Sequence, residues 1–146
     1  MGVVFRVDGG ANNVLVTLPD FDIQEATNTS GSVTINSFTI IPGLSLVATA
    51  IGVYLVHFSA TYQVNPGAGI TIAVFLDGVQ IPGTERNARG AVGAGAQLEG
   101  TIAITKKISL SNGQKVAIFA KKSSGQNVTL SQAVFVLEQV IQSSQR

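Results

Sequence analysis

Chemistry needs reactive groups held together, and this chain offers few. His57 is its only imidazole, and neither cysteine nor tryptophan occurs among its 146 residues. Serine-type hydrolysis requires a nucleophile, a base and an orienting group in contact. A single histidine inside a strand-like pattern supplies one of the three. Thiolate or multi-histidine zinc centres cannot be assembled from this composition. Two carboxylates, Asp20 and Asp22, would share a strand face about 7 Å apart if extended. That spacing fits a glycosidase pair, or a calcium site completed by backbone carbonyls. A solvated turn after Pro19 is the favoured alternative, because no second carboxylate cluster follows. The expectation is no enzyme, no cofactor and no metal.

A second group, Glu85-Arg86-Asn87-Ala88-Arg89, falls where a loop follows a hairpin, and loops are where recognition residues concentrate. Arg86, Asn87 and Arg89 are therefore candidates for clasping a carboxylate or a sugar acid. The adjoining 87–97 stretch is rich in glycine and alanine. It fails the dinucleotide fingerprint, since Gly93 and Gly95 would need a third glycine where Leu98 stands. Asn28-Thr-Ser and Asn127-Val-Thr are glycosylation sequons by pattern. Lys106-Lys107 and Lys121-Lys122 each send one lysine to either strand face, which discourages edge pairing.

The elements that must carry these residues are strands. Alternating apolar and polar residues bounded by Gly, Pro and Asn recur along the chain, and helical periodicity is nearly absent. Strands are expected at 3–7, 14–18, 33–41, 44–50, 53–64, 70–77, 97–105, 114–121, 127–130 and 132–141. Asp77-Gly78 and Asn112-Gly113 are expected to close two-residue hairpins. Residues 26–76 contain no Asp, Glu, Lys or Arg, yet Pro42-Gly43, Gly52, Pro66-Gly67 and many Thr, Ser and Asn argue against a membrane span. The first six residues lack the basic and apolar stretches of a secretory signal. Net charge is +1, which gives no nucleic-acid footprint. Residues 1–77 carry one base against five acids, and the remainder eight against three.

Along 52–64, Tyr54, Val56, Phe58, Ala60, Tyr62 and Val64 share one strand face, and Val53, Leu55, His57, Ser59 and Thr61 share the other. The first set reads as core. The second places Leu55 and His57 where a monomer meets solvent, which is the composition of an intersubunit surface. With 45% apolar residues, 12% charged residues and a mean hydropathy of +0.38, a partner surface is expected.

Gly52-Val-Tyr-Leu-Val-His-Phe, Ile108-Ser-Leu-Ser-Asn-Gly-Gln-Lys-Val-Ala-Ile and Gln132-Ala-Val-Phe-Val-Leu-Glu-Gln-Val resemble the tumour necrosis factor and complement globular-head superfamily. Phe75-Leu-Asp-Gly-Val-Gln-Ile-Pro-Gly-Thr84 looks like the mid-domain hairpin of bacterial collagen-like surface proteins of the exosporium type. The likeness runs from about Leu44 to Val140. It departs at Gly113-Gln114, where the family usually has Gly-Asp. The resemblance implies a ten-strand antiparallel jelly-roll sandwich, TNF-like and all-β, filling residues 1–146 as one domain. It implies a homotrimer with Leu55, His57 and Val134 beside the threefold axis. Three stacked imidazoles there would repel on protonation, so acid would loosen the trimer. Alternation in 115–121 adds Ala117 and Phe119 to the trimer interface, with Val116, Ile118 and Ala120 filling the sandwich.

The reading is a non-enzymatic trimerising head of a surface or fibre protein, outside the cell or on a spore or virion, presenting loops for adhesion. The alternative is a ligand-binding module, a lectin or phage fibre tip, holding a surface glycan or carboxylate.

Overall fold

A computed structural model describes residues 3–9, 12–18, 21–90, 98–124 and 128–142, with backbone alone for 3–9, 12–18, Ser124 and Gln142. Every regular element in it is a β-strand. β1 (Val3–Gly9) and β2 (Asn12–Leu18) pair antiparallel as a two-stranded sheet of their own. The other nine strands are β3 (Ile23–Val33), β4 (Thr39–Val47), β5 (Gly52–Val64), β6 (Gly69–Leu76), β7 (Val79–Gln80), β8 (Arg86–Arg89), β9 (Leu98–Leu110), β10 (Lys115–Ser124) and β11 (Val128–Gln142). They form two antiparallel sheets, ordered β3-β11-β5-β9 and β4-β10-β6-β7, with β8 also paired to β6. Apart from β6, β7 and β8, which stay in one sheet, successive strands from β3 onward cross between the two sheets, which is the jelly-roll arrangement expected.

The pleat decides what each sheet buries. Tyr54, Val56 and Phe58 of β5, Phe135 and Leu137 of β11 and Ile104 of β9 face Leu44, Ile72, Val74, Val116 and Ile118 of the opposite sheet, all at 2% exposure or less. Burial on this scale, about 1.5–3 kcal/mol per large apolar side chain, is the main force holding the sandwich.

Eleven strands replace the ten expected, for identifiable reasons. Of the expected strand 33–41, residues 34–38 are irregular, Val33 ends β3, and only 39–41 are strand; these run on into the expected 44–50 as β4, because Gly43 takes a φ of 83° and the β10–β4 register shifts instead of the strand ending. In the same way Gln132, at φ 50°, bulges within a continuous β11 that joins the expected 127–130 and 132–141. β3 was hidden by its polar inward residues. Gln24 and Asn28 donate from Nε2 and Nδ2 to the Val47 and Pro42 carbonyls at 2.6 and 2.8 Å, stitching the two sheets along one side. This bond also engages the amide of the Asn28 sequon, while Asn127 lies outside the described residues.

The turns separate similarly. Asp77 and Gly78, at φ 47° and 82°, make the expected two-residue hairpin between β6 and β7. Asn112-Gly113 does not close a hairpin, because β9 and β10 belong to opposite sheets. Only Gly113 is at positive φ there, and Gln114 N–H bonds the Ser111 carbonyl at 3.2 Å in a type II geometry. The Gln114 side chain accepts from Ser111 N–H at 2.9 Å, so this departure from the family's Asp does a turn-closing job.

Asp22 is a clasp. Its Oδ2 accepts from Tyr54 Oη and Thr49 N–H at 2.8 Å, and its Oδ1 accepts from Gln24 Nε2 at 2.9 Å. Gln139 bonds the Asp22 backbone in both directions, at 2.8 and 2.9 Å. The start of β3 is thus tied to β5, β11 and the 48–51 loop. Asp20 lies outside the described residues, so the pair reading has no support, and Asp22 is committed to structure. Partial burial pushes the Asp22 carboxyl up, but the bonds from Thr49, Gln24 and Tyr54 outweigh it and hold it below the usual 3.8. Burial and the Asp22 carboxylate push the Tyr54 phenol up to about 12 from 10.0. The signs follow by linkage. Asp22 stabilises the fold above its ordinary value and loses that as pH falls through its lowered one. Tyr54 stabilises below pH 10 and loses that as pH rises toward 12. Tyr54→Phe is expected to cost about 1–2 kcal/mol at neutral pH and to remove the stability loss between pH 10 and 12 in denaturant titrations followed by circular dichroism.

Candidate functional site

The two sheets each have an outward face, and the five expected interface residues divide between them. Leu55 and His57 on β5 and Val134 on β11 lie on the outward face of β3-β11-β5-β9. Ala117 and Phe119 lie on β10, outward on the opposite sheet. The five residues expected at the trimer interface thus lie on the outward faces of two different sheets. Alternation along 115–121 was read correctly, since Val116, Ile118 and Ala120 do fill the core. What periodicity cannot say is which sheet a strand joins.

On the first face, cross-strand pairing aligns Leu55 with Glu138 and Lys107, and His57 with Val136 and Thr105. Val134 sits opposite Ser59 and Thr27, and Ile23 opposite Glu138. The centre is mixed, half-buried Leu55, Val134 and Val136 lying among His57, Ser59, Thr105 and Glu138, and its margins are open: Ile23 is 63% and Ile141 55% exposed. His57 Nε2 lies 3.8 Å from Glu138 Oε1, too far for a hydrogen bond but close enough for charge pairing if the ring protonates. Sequence reasoning missed this counter-charge. Only the β5–β11 register reveals it.

The second face covers itself. Phe75 stacks on Phe119 at 4.0 Å between centroids, Phe38 meets Phe75 edge-on at 5.2 Å, and Lys121 Nζ lies 4.5 Å over the Phe38 ring. Ala73 and Ala117, outward on this sheet, are nevertheless 0% and 2% exposed. A roof of aromatic rings lies over them within the chain.

The expected ligand group 86–89 is a strand, β8, on the edge of this second sheet. Pairing places Asn87 opposite Thr71 and Arg89 opposite Gly69, on the ring-bearing face. Arg86 alternates away, and its Nη1 donates to the Gly83 and Glu85 carbonyls at 3.2 and 2.8 Å. Arg86 is thus a loop brace, while Asn87 and Arg89 are brought together with Lys121, a residue the sequence had marked only for edge protection.

Elsewhere, a cavity of about 180 Å³ opens between β3 and β4, lined chiefly by Val33, Ile35, Ile40, Ile41, Pro42 and Leu130. No titratable side chain lines it. Among the described residues no three His, Cys, Asp or Glu side chains converge as metal ligands, and no helix is long and apolar enough to cross a membrane.

By sequence, neither a family model nor a curated protein matches this chain. By structure, 113 solved chains match. One is Eiger TNF from S. frugiperda, with a TM-score of 0.61 at 12% identity, covering 86% of this chain and 96% of that one. The fold is therefore a TNF-like jelly roll.

The second face gives a direct check. Phe119→Ala should lower stability by about 2 kcal/mol, roughly 4–8 °C in melting temperature, by opening the ring roof. It should leave the sedimentation coefficient of the native protein unchanged. A change in association state on this substitution would place Phe119 at the interface.

Proposed function

We propose that this chain is a non-enzymatic trimerising head, carried outside the cell or on a particle surface, whose assembly aligns the three copies of a larger fibrous protein. One observation carries the reading. The outward face of β3-β11-β5-β9 presents Leu55, Val134 and Val136 at its centre and Ile23 and Ile141 at its margin, with nothing among the described residues comparable to the ring roof that covers the other sheet. Apolar area of this kind is favourable to remove from water, at about 25 cal/mol per Å². The TNF-like fold supports the same choice of face. A closed threefold ring uses two different patches per copy, and obligate assemblies of this kind bury about 2,000–5,000 Å² in all. His57 would then sit at the shared seam beside Glu138. Kinship with bacterial collagen-like exosporium proteins, and an adhesive role for the outer loops, belong to this proposal and rest on the sequence resemblance.

Val134→Glu places a carboxylate in the middle of the seam, where an unpaired buried charge costs several kcal/mol. In sedimentation equilibrium the wild type should run at three times the 15.1 kDa chain mass. The variant should run as a folded monomer with an unchanged strand spectrum. A monomeric wild type, or a variant that stays trimeric, would refute the assembly.

A further inference from the structure

We propose that the outward face formed by β8, β6 and β10 is a binding site for a carboxylated sugar, a uronate-type oligosaccharide two rings wide. The inference does not depend on the trimer, because it concerns the opposite side of the sandwich.

Charge sets the sign of the ligand. The sheet holding β8 and β10 carries Arg86, Arg89, Lys115, Lys121 and Lys122, against Asp77 and Glu85 in its turns. Both acids are engaged: Asp77 accepts from Lys115 N–H at 2.9 Å, and Glu85 from Gln80 Nε2 at 2.9 Å. The other sheet has Lys106 and Lys107 against Glu25, Glu99 and Glu138. Of the five cations, Arg89, Lys115 and Lys121 alternate onto the outward face, whereas Arg86 and Lys122 pair with inward-facing Ile72 and Ile70, so three cations favour an anion on that face.

Geometry selects a sugar over a simple anion. Asn87, Thr71 and Lys121 form one cross-strand row over β8, β6 and β10, a span of about 10 Å at ordinary strand spacing. Thr71 Oγ1 donates to Asn87 Oδ1 at 2.5 Å, which fixes the amide and leaves its NH₂ as the donor for a hydroxyl. Arg89 occupies the neighbouring row, its stem running over Gly69, where an added Cβ would lie 3.5 Å from Arg89 Cγ. The Lys121 ammonium is held over Phe38, at the border between this polar row and the ring roof. A cation for a carboxylate, a fixed amide for a hydroxyl and a half-buried aromatic cluster for the apolar C–H edge of a sugar stand side by side. An acidic peptide would use the cations without placing apolar C–H surface on the aromatic cluster.

Calorimetry with trigalacturonate at low ionic strength tests the site, with its methyl ester and tri-glutamate as controls. Saturable binding is expected for trigalacturonate alone. Lys121→Gln and Asn87→Ala, each checked for native circular dichroism, should weaken it about tenfold or more. Val134→Glu, on the opposite face, should leave it intact whether or not that variant remains assembled. Absence of binding, equal binding of tri-glutamate, or affinity unmoved in both site variants would overturn the proposal.

Discussion

The constraint on which this molecule depends is the twofold alternation of a strand buried on one side only. β5 and β11, the central pair of their sheet, commit every second side chain to the core, where Tyr54, Val56, Phe135 and Leu137 are 0% exposed. The intervening residues must face away. On a solitary domain those positions would be polar, and here Leu55, Val134 and Val136 occupy them. Everything said about assembly follows from that one departure from the pattern of a half-solvated sheet.

The opposite sheet shows that outward apolar residues do not automatically mean a partner. Phe38, Phe75 and Phe119 also point away from the core, but they pack on one another and roof over two alanines. Two faces with similar composition thus have different meanings. One satisfies itself within the chain, and the other ends in open isoleucines at its edges. The charges are sorted in parallel. Antiparallel folding interleaves the acidic first half of the chain with the basic second half, yet β8 and β10 join the same sheet, so a cationic side survives the mixing.

Much of this was legible in the sequence, and the failures are instructive. While the jelly roll came from the family resemblance, the β5 alternation, the Asp77-Gly78 hairpin and the all-β class follow from pattern and turn chemistry. β3 did not, because Gln24 and Asn28 fill inward positions and serve carbonyls of the other sheet, which a hydrophobicity pattern scores as loop. Residues 115–121 gave the right faces but not the sheet, since a period of two carries no information about which neighbour a strand pairs with. The ligand group shows the same limit. Arg86, Asn87 and Arg89 were grouped by proximity in sequence, whereas pairing with β6 separates Arg86 from the other two and brings in Lys121 from 32 residues further on than Arg89. The Asp22 clasp was invisible for a related reason, as its partners come from three different segments.

The chain has no cysteine, so a single introduced thiol reports on one place. Ser59, opposite Val134 on the outward face of β5, is exposed in the isolated chain, as is Ser111 in the turn before β10. In the native protein a maleimide should label Ser59→Cys far more slowly than Ser111→Cys, because a neighbouring copy covers the first site. Equal labelling rates at the two positions would mean that the face is open to water, and the assembly would have to be abandoned.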